Sequence, residues 1–530
     1  MKRVLIILFA LMAVGGLVAQ DFIMNNNTEP QSLDPSLIQG VPEHHIYMSL
    51  FEGLVINDPK TAHALPGVAE KWSTSPDGMT LTFNLRHNAK WSDGHPVTAQ
   101  DFVYGWLRTL DPDTGAQYAY MIGMVVKGAN DFNSFAPDKN KSDADNKAAK
   151  EALRAAVGVV AKDNYTLVVT LSSPAPYAID MMAHYAFSPE PKWAIDKYGS
   201  EWIKPGKFIG DGPFVLKEWA PQDHIKVVKS NTYWDARNVH LKSITFLPIE
   251  DNKVAYNKFE NGEIDWDYGV PLDLLDQIKL RADYQVAPEV GTYYFIFNTK
   301  RAPVDNVLVR KALSMAVDKK TLVDKITKGG QVVADTITPD MPPYKAPAGN
   351  PYNVAEAKKL LAQAGYPDGK GFPPLTIIYN TSDAHKKICE YVQAQWKDNL
   401  GIDVSLQNVE WKTFLAQRSQ QHDFQVARAG WIGDYLDPQT FLDMFESDSG
   451  NNDGQYTNAK YDNLVKNDLK EKSPQREKTM AEAEKMLIHD DQAIMPIYFY
   501  VSQSMIDTRK WGGWFNNPLD IHNWKFIYKK

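Results

Sequence analysis

The sequence predicts an α/β protein built from several lobes. Three observations lead there. The chain has 530 residues, too many for one hydrophobic core at roughly 100–200 residues per domain. Segments with period-two alternation are interleaved with helical segments along its whole length. Between residues 353 and 406 the order is helix, strand, helix, strand, which calls for a lobe containing parallel strands. With 44% apolar and 23% charged residues the composition is that of a globular protein, not a disordered one. A formal net charge of −8 without a Lys/Arg-dense block excludes the cationic footprint a nucleic-acid binder needs. Aromatic residues reach 12%, with 14 Trp and 25 Tyr; such amphipathic rings suit a ligand-contacting surface as well as a large core.

Lys2 and Arg3 precede an apolar and Gly stretch from Val4 to Val18, and Ala19 is a small residue suited to the position before a cleavage. This is the layout of a secretory signal peptide over residues 1–19; the alternative is a retained anchor, for which the stretch is short against a ~30 Å hydrocarbon core. No later segment approaches 18 apolar residues in a row, so the processed chain is expected to be soluble. The single cysteine, Cys389, lies far from the processing site, so it carries no lipid there. A protein that diffuses freely after export needs a second membrane to retain it, which points to a periplasm. No intrachain disulfide is possible, and Cys389 reads as a small buried hydrophobe on a helix.

Further along, Leu81, Phe83 and Leu85 alternate with polar neighbours as in a half-buried strand. Trp91-Ser92-Asp93-Gly94 is a turn. Thr98 is positioned to cap a helix through Phe102, Val103 and Trp106. Residues 136–153 read as a polar loop entering a surface helix, and Tyr165 to Leu171 as a strand. Pro339 to Pro351 holds five prolines, as a long connector does. Asn353 and Glu356 have capping spacing for a helix that Gly365 and Pro367 stop. A strand at 375–379, a helix at 382–400 and a strand at 402–406 follow. There is no internal repeat.

Catalytic and metal motifs are missing. No His-Glu-x-x-His pair, Gly-x-Ser-x-Gly elbow or phosphate-binding Gly loop occurs. His44 and His45 are adjacent, a poor arrangement for converging on one metal. The acidic run from Asp443 to Asp453 lacks the alternating ligands and terminal Glu of a calcium loop and reads as a solvated loop. The sequence therefore predicts no catalytic residues, metal or cofactor. Carboxylates are plentiful, however, and a glycosidase-type pair meets only in the fold, so a secreted hydrolase stands as the alternative of another class.

Residues 424–445 carry the functional argument. A short apolar strand, Phe424 to Ala427, runs into Arg428, then Gly430-Trp431, then Asp434. A cation, a Gly that permits close backbone approach, a flat aromatic and a carboxylate thus gather at one strand end, where ligand groups collect. A zwitterionic ligand uses these parts, carboxylate for ammonium and guanidinium for carboxylate. By pattern alone, Arg428 paired with Asp434 and Trp431 in a core is the competing reading.

The segment Ala429-Gly430-Trp431-Ile432-Gly433-Asp434-Tyr435, with Pro438 and Phe441-Leu442, resembles the ligand-anchoring segment of periplasmic oligopeptide-binding proteins, the receptors of peptide-importing ABC transporters. The resemblance extends in order along the chain. It includes Gln31-Ser32-Leu33-Asp34-Pro35, Gly40-Val41-Pro42-Glu43, Leu50-Phe51-Glu52-Gly53-Leu54, Pro66 to Trp72, Trp91 to Gly94 and Ala99 to Tyr104. It continues through Asn380-Thr381-Ser382-Asp383, His385-Lys386-Lys387 and Glu410 to Leu415.

The resemblance implies a type II-like periplasmic binding protein fold: two hinged lobes plus an extra domain. Domain I gathers 20–51, 192–290 and 502–530; domain II is 52–191; domain III is 291–501. Peptide lies between domains I and III. Asp434 matches the carboxylate that holds the peptide α-ammonium. Arg428 and Gly430 match strand positions bonding the peptide main chain, Arg428 also lying near the carboxylate end of short ligands. Tyr118, Trp411, Arg418, His385, Trp431 and Tyr500 match residues that line side-chain pockets or reach the ligand ends, and Gln39, Gly40 and Val41 match the facing segment. Gln39 stands where relatives carry Glu, which leaves a basic-side-chain preference there in doubt. Ile432 and Gly291 stand where relatives place a disulfide, so the anchoring loop is expected to be held by packing. The implied partners are short peptides and ABC permease subunits in the inner membrane, the implied state a monomer without nucleic acid. Other cargo on the same fold, a murein peptide, nickel chelate, haem or oligosaccharide, is the alternative.

Overall fold

The computed structural model describes residues 20–468 and 470–530; the signal-peptide reading of residues 1–19 lies outside them. Among the described residues no helix is long and apolar enough to cross a membrane.

An eleven-stranded mixed sheet organises the chain. Two long antiparallel strands run through it, Tyr284–Phe297 and Ile494–Ile506. On one side of them lie Trp266–Asp267, Gln20–Asn25, Leu241–Leu247, His224–Lys229 and Phe214–Ala220; on the other, Val426–Ile432, Leu375–Asn380 and Val404–Val409; the short Val332–Val333 pairs with Ile494–Ile506 off this path. The pairing of the two long strands is interrupted between Pro288 and Thr292, where Pro288 removes a ladder donor. A separate four-stranded antiparallel sheet takes Ala69–Thr74, Thr80–Leu85, Thr166–Thr170 and Val159–Asp163.

Local chemistry explains the elements. In Thr80–Leu85 every second side chain is buried, the pattern of a strand with one face on a core. Residues 293–297 instead read as a continuous apolar run, because both faces are covered. Tyr293, Phe295 and Phe297 join a core with Trp396 and Ile388, while Tyr294 and Ile296 join another with Tyr461 and Phe445. The helix Ala99–Leu110 starts at Thr98, whose N–H donates to Asp101 Oδ2 at 2.8 Å, half of a capping box. Asn353 caps Val354–Gln363, accepting from the Glu356 N–H at 3.0 Å. Asp383–Leu400 follows a Ser382 cap and ends on Gly401 at φ 71°. The strands flanking that helix pair in parallel, as the helix–strand order predicted. Cys389 is buried on it.

Three sequence expectations are corrected. The strand after Gly401 spans Val404–Val409 rather than 402–406, because Ile402 N–H still closes the helix end on the Trp396 carbonyl (3.3 Å). The strand expected at 424–427 runs over Val426–Ile432, so Arg428, Gly430 and Trp431 lie within it and not past its end. The acidic run is largely buried. Tyr435 Oη donates to Asp443 Oδ2 (2.8 Å), Asn452 donates to the Glu446 and Tyr456 carbonyls, and Asp453 pairs with Arg418; only Ser447, Asp448 and Gly450 are exposed. These contacts satisfy part of the buried polar surface, while Asp443 Oδ1, Glu446 Oε2 and Asp453 Oδ1 stay without a hydrogen-bond partner.

A buried network positions the N-terminal segment. Arg108 forks onto both Asp34 oxygens (2.8 and 2.7 Å) and donates to Glu190 (2.8 Å), and Trp202 Nε1 donates to Asp34 (3.1 Å). This ties residues 34–41 to the helix Ala99–Leu110.

Candidate functional site

A cavity of about 430 Å³ lies between the two halves of the large sheet, within the ~300–1,000 Å³ usual for small-ligand pockets. All twelve residues singled out from the sequence line it: Gln39, Gly40, Val41, Tyr118, His385, Trp411, Arg418, Arg428, Gly430, Trp431, Asp434 and Tyr500.

The strand Val426–Ile432 presents Arg428. Its Nη2 donates to Tyr500 Oη (3.0 Å) and its Nη1 to Asn380 Oδ1 (3.4 Å); the guanidinium lies 4.9 Å from the Tyr293 ring centroid, and Nε is buried without a partner. Among the described residues no carboxylate pairs with it, so the competing Arg428–Asp434 pairing does not occur. His385 stands beside it, its Nδ1 3.4 Å from Tyr293 Oη. Burial, then the Arg428 charge, holds its imidazole well below the ordinary range. Gly430 is required by closeness: a Cβ there would fall 2.2 Å from Tyr500 Oη.

Two residues past that strand, Asp434 keeps 12% of its side chain exposed. Its Oδ2 is buried with no partner, and its N–H donates to Thr440 Oγ1 (3.1 Å). His184 Nε2 lies 3.5 Å from Oδ1. Because His184 Nδ1 accepts the Ala186 N–H (3.2 Å), the proton of the neutral ring sits on Nε2 and faces Asp434. Burial, then His44, keeps that imidazole well below its usual range, so no cation neutralises Asp434. Burial accordingly pushes the Asp434 carboxyl well above the ordinary carboxylate range. Rings surround it: Tyr118 is 4.6 Å from His184 and 6.2 Å from Trp431, centroid to centroid, the latter pair stacked. A carboxylate inside an aromatic cage is a receptor for an ammonium group.

The opposite wall is the segment 39–41. Gln39 Nε2 donates to Gln31 Oε1 (2.6 Å). Gly40 leaves room for Glu43, whose Oε1 accepts from the Gln31 N–H (2.6 Å) and lies 3.4 Å from Trp411 Nε1; a Cβ on Gly40 would meet Glu43 Oε2 at 2.5 Å. Val41 begins the helix Val41–Leu50. Trp411 belongs to the other half of the molecule, so it spans the cleft. Arg418 is the one predicted residue already neutralised, with Nε 2.7 Å from Asp453 Oδ2.

Gly291 and Ile432 are register partners across the two strands, and the Gly433 N–H donates to the Val290 carbonyl (2.8 Å). Tyr500 packs over Gly291, 2.8 Å from where its Cβ would stand. Sequence reasoning missed His184, Glu289 and Asp520, which also line the cavity; none lies in a motif, and only the fold brings them to Asp434 and Tyr500.

A family model for bacterial extracellular solute-binding proteins, family 5, matches residues 63–453. The chain belongs to that family. It is 40% identical over 529 residues to the periplasmic oligopeptide-binding protein OppA of Salmonella typhimurium, covering 96% of this chain and 92% of that protein. The structure of Haemophilus influenzae OppA in complex with RPPGFSPFR superposes with a TM-score of 0.89 at 34% identity, over 97% of this chain and 100% of that one. The murein tripeptide binding protein MppA of Escherichia coli superposes at 0.88 with 35% identity, over 97% and 99%, whereas its unliganded open form reaches only 0.61 over 97% and 98% at 36% identity. This family 5 chain is therefore described in an arrangement unlike that open form.

Proposed function

We propose that this family 5 protein is a non-enzymatic receptor that captures short peptides and delivers them to an ABC importer. The observation that carries the reading is a buried carboxylate and a buried guanidinium, Asp434 and Arg428, in one cavity with no counter-charge on either. Such groups are costly unless a ligand pairs them, and the two line one cavity from different places, Arg428 within the strand and Asp434 in the loop beyond its end, so that an extended peptide can meet both. Asp434 takes the α-ammonium, and Arg428 the main chain or carboxylate end. Gly430 and residues 39–41 offer backbone groups for strand-like pairing, which is indifferent to side chains. Tyr118, Trp431, Trp411, His385, Arg418 and Tyr500 line roomy pockets where water mediates contact.

Domains I, II and III are assigned as residues 20–51 with 192–290 and 502–530, 52–191, and 291–501. The interrupted pairing between Pro288 and Thr292 supports a hinge where two of these boundaries meet. The protein works in the periplasm, as the relatives' periplasmic designation supports, and docks as a monomer on inner-membrane permease subunits. Calorimetry with tri- to pentapeptides tests the reading. Micromolar or tighter binding is expected, with most of it lost on N-acetylation of the ligand or in Asp434→Ala. Equal affinity for the acetylated peptide would refute the amine anchor. Mass spectrometry of copurifying ligand separates peptides from any other cargo.

A further inference from the structure

Five carboxyl groups line the cavity: Glu250, Glu289, Asp434, Asp453 and Asp520. Three are accounted for. Glu250 accepts from Thr28 Oγ1 (3.1 Å), Asp453 pairs with Arg418, and Asp434 holds the ligand's terminus in the reading above. Glu289 and Asp520 remain, on two elements that meet at Val290 and Pro518.

Glu289 lies in the strand Tyr284–Phe297 just before Val290, whose N–H is tied to the Pro518 carbonyl at 2.7 Å. That bond brings the 518–522 turn against the strand. Only 7% of Glu289 is exposed, and its Oε1 is buried without a hydrogen-bond partner. Asp520, 6% exposed and at φ 50°, is held by His522 Nε2 at 2.8 Å. His522 is itself stacked on Trp514, ring centroids 4.5 Å apart. Tyr268 reaches Asp520 with its hydroxyl, and Tyr498 and Tyr500 stand within electrostatic reach of Glu289. Among the described residues no Lys or Arg pairs with either carboxyl. Burial and the Asp520 charge push the Glu289 carboxyl well above its ordinary range; an arriving cation relieves both.

We propose that Glu289, backed by Asp520, forms a subsite for a cationic side chain of the bound peptide, a Lys ammonium or an Arg guanidinium. This rests on the peptide reading. The tyrosine rings around it flank the aliphatic stem of such a side chain, and Glu289 Oε1 accepts from its head. Gln39, being neutral, contributes no charge on the facing wall.

The test is a positional scan by calorimetry. In a trialanine series each position is replaced in turn by lysine, by norleucine, which keeps most of the stem without the charge, and by glutamate. At one position lysine should bind at least about tenfold tighter than norleucine, with glutamate weakest. In Glu289→Gln the lysine-to-norleucine ratio at that position should fall to about one. The ratio compares two ligands on one protein, so a general loss of stability in the variant cancels. A wild-type protein that binds neutral peptides without a lysine preference at any position would overturn the subsite alone, as would a preference that persists in Glu289→Gln. Failure of every peptide to bind, neutral ones included, would overturn the peptide reading and the subsite together.

Discussion

His184 turns its protonated Nε2 toward Asp434 Oδ1 at a distance of 3.5 Å, so the buried acid faces a dipole and not a charge. An ammonium group entering the cavity therefore becomes its first full counter-charge.

Capture should release a proton. Burial raises the Asp434 carboxyl well above its usual range, and a bound ammonium lowers it again. Below the empty protein's value the carboxyl must lose its proton to pair. Affinity therefore rises with pH through that value and declines only as the peptide α-amine deprotonates near about pH 8. Calorimetry at about pH 6 in buffers of different ionisation enthalpy should report net proton release in the wild type and none in Asp434→Asn. Replacing His184 by Phe removes the facing donor and should move the pH midpoint upward. A wild-type binding enthalpy independent of buffer would contradict the assignment.

Gly430→Ala should weaken peptide binding by roughly tenfold or more with little change in melting temperature. The new Cβ would stand 2.2 Å from Tyr500 Oη and 3.2 Å from Arg428 Nη2. The Tyr500 ring must swing away and give up its hydrogen bond to Arg428, while the strand backbone keeps its register. Unaltered affinity would mean that neither group takes part in binding.

Gly291→Cys combined with Ile432→Cys should crosslink on oxidation, because the two positions face each other across the sheet. Thiol titration of the oxidised, denatured variant should then find one free cysteine, Cys389. The closed loop of about 140 residues would stabilise by up to ~5 kcal/mol on chain entropy alone. The measured gain should be smaller, because a Cβ at 291 meets Tyr500 Cδ2 at 2.8 Å and the Trp431 carbonyl at 2.9 Å. Denaturant melts with and without reductant check it.

Closure should respond to salt. Asp273 is shared by Lys253 (2.8 Å) and Lys387, which the proposed assignment places in domains I and III respectively. Hydrogen bonds from those two lysines, Lys253 first, lower its carboxyl to about 2. The pairs are exposed, so each contributes little and salt screens it, yet on the proposed domain assignment the Lys387 pair would be lost if the lobes part. Small-angle scattering should show the radius of gyration falling on peptide addition. In peptide-free protein it should be larger in Asp273→Asn or at high salt. Identical scattering with and without peptide would contradict a closing receptor.

Local rules carried much of the fold. Thr98, Asn353 and Ser382 begin helices where their side chains permit, and Leu81, Phe83 and Leu85 alternate because their strand covers one core. Rules of that kind failed where long-range packing decided. The strand through Arg428 continues to Ile432 because it pairs residue by residue with 291–297, which no local signal encodes. The run from Asp443 to Asp453 is polar yet largely buried, with Tyr435 and Arg418 reaching Asp443 and Asp453.

What the sequence by itself determined is the class of the molecule and the residues proposed as its anchors. Charge and composition exclude a nucleic-acid binder and a disordered chain, length and the order of elements give a several-lobed α/β protein, and Arg428, Gly430, Trp431 and Asp434 lie within seven residues of one another. What only the tertiary structure decided is which of those charges stay unpaired and what stands opposite them. Arg418 is neutralised by Asp453, 35 residues away in sequence, while His184 and Glu289 enter the cavity from distant segments. Counter-charge and burial are properties of neighbours in space, and the chain brings those neighbours together only by folding.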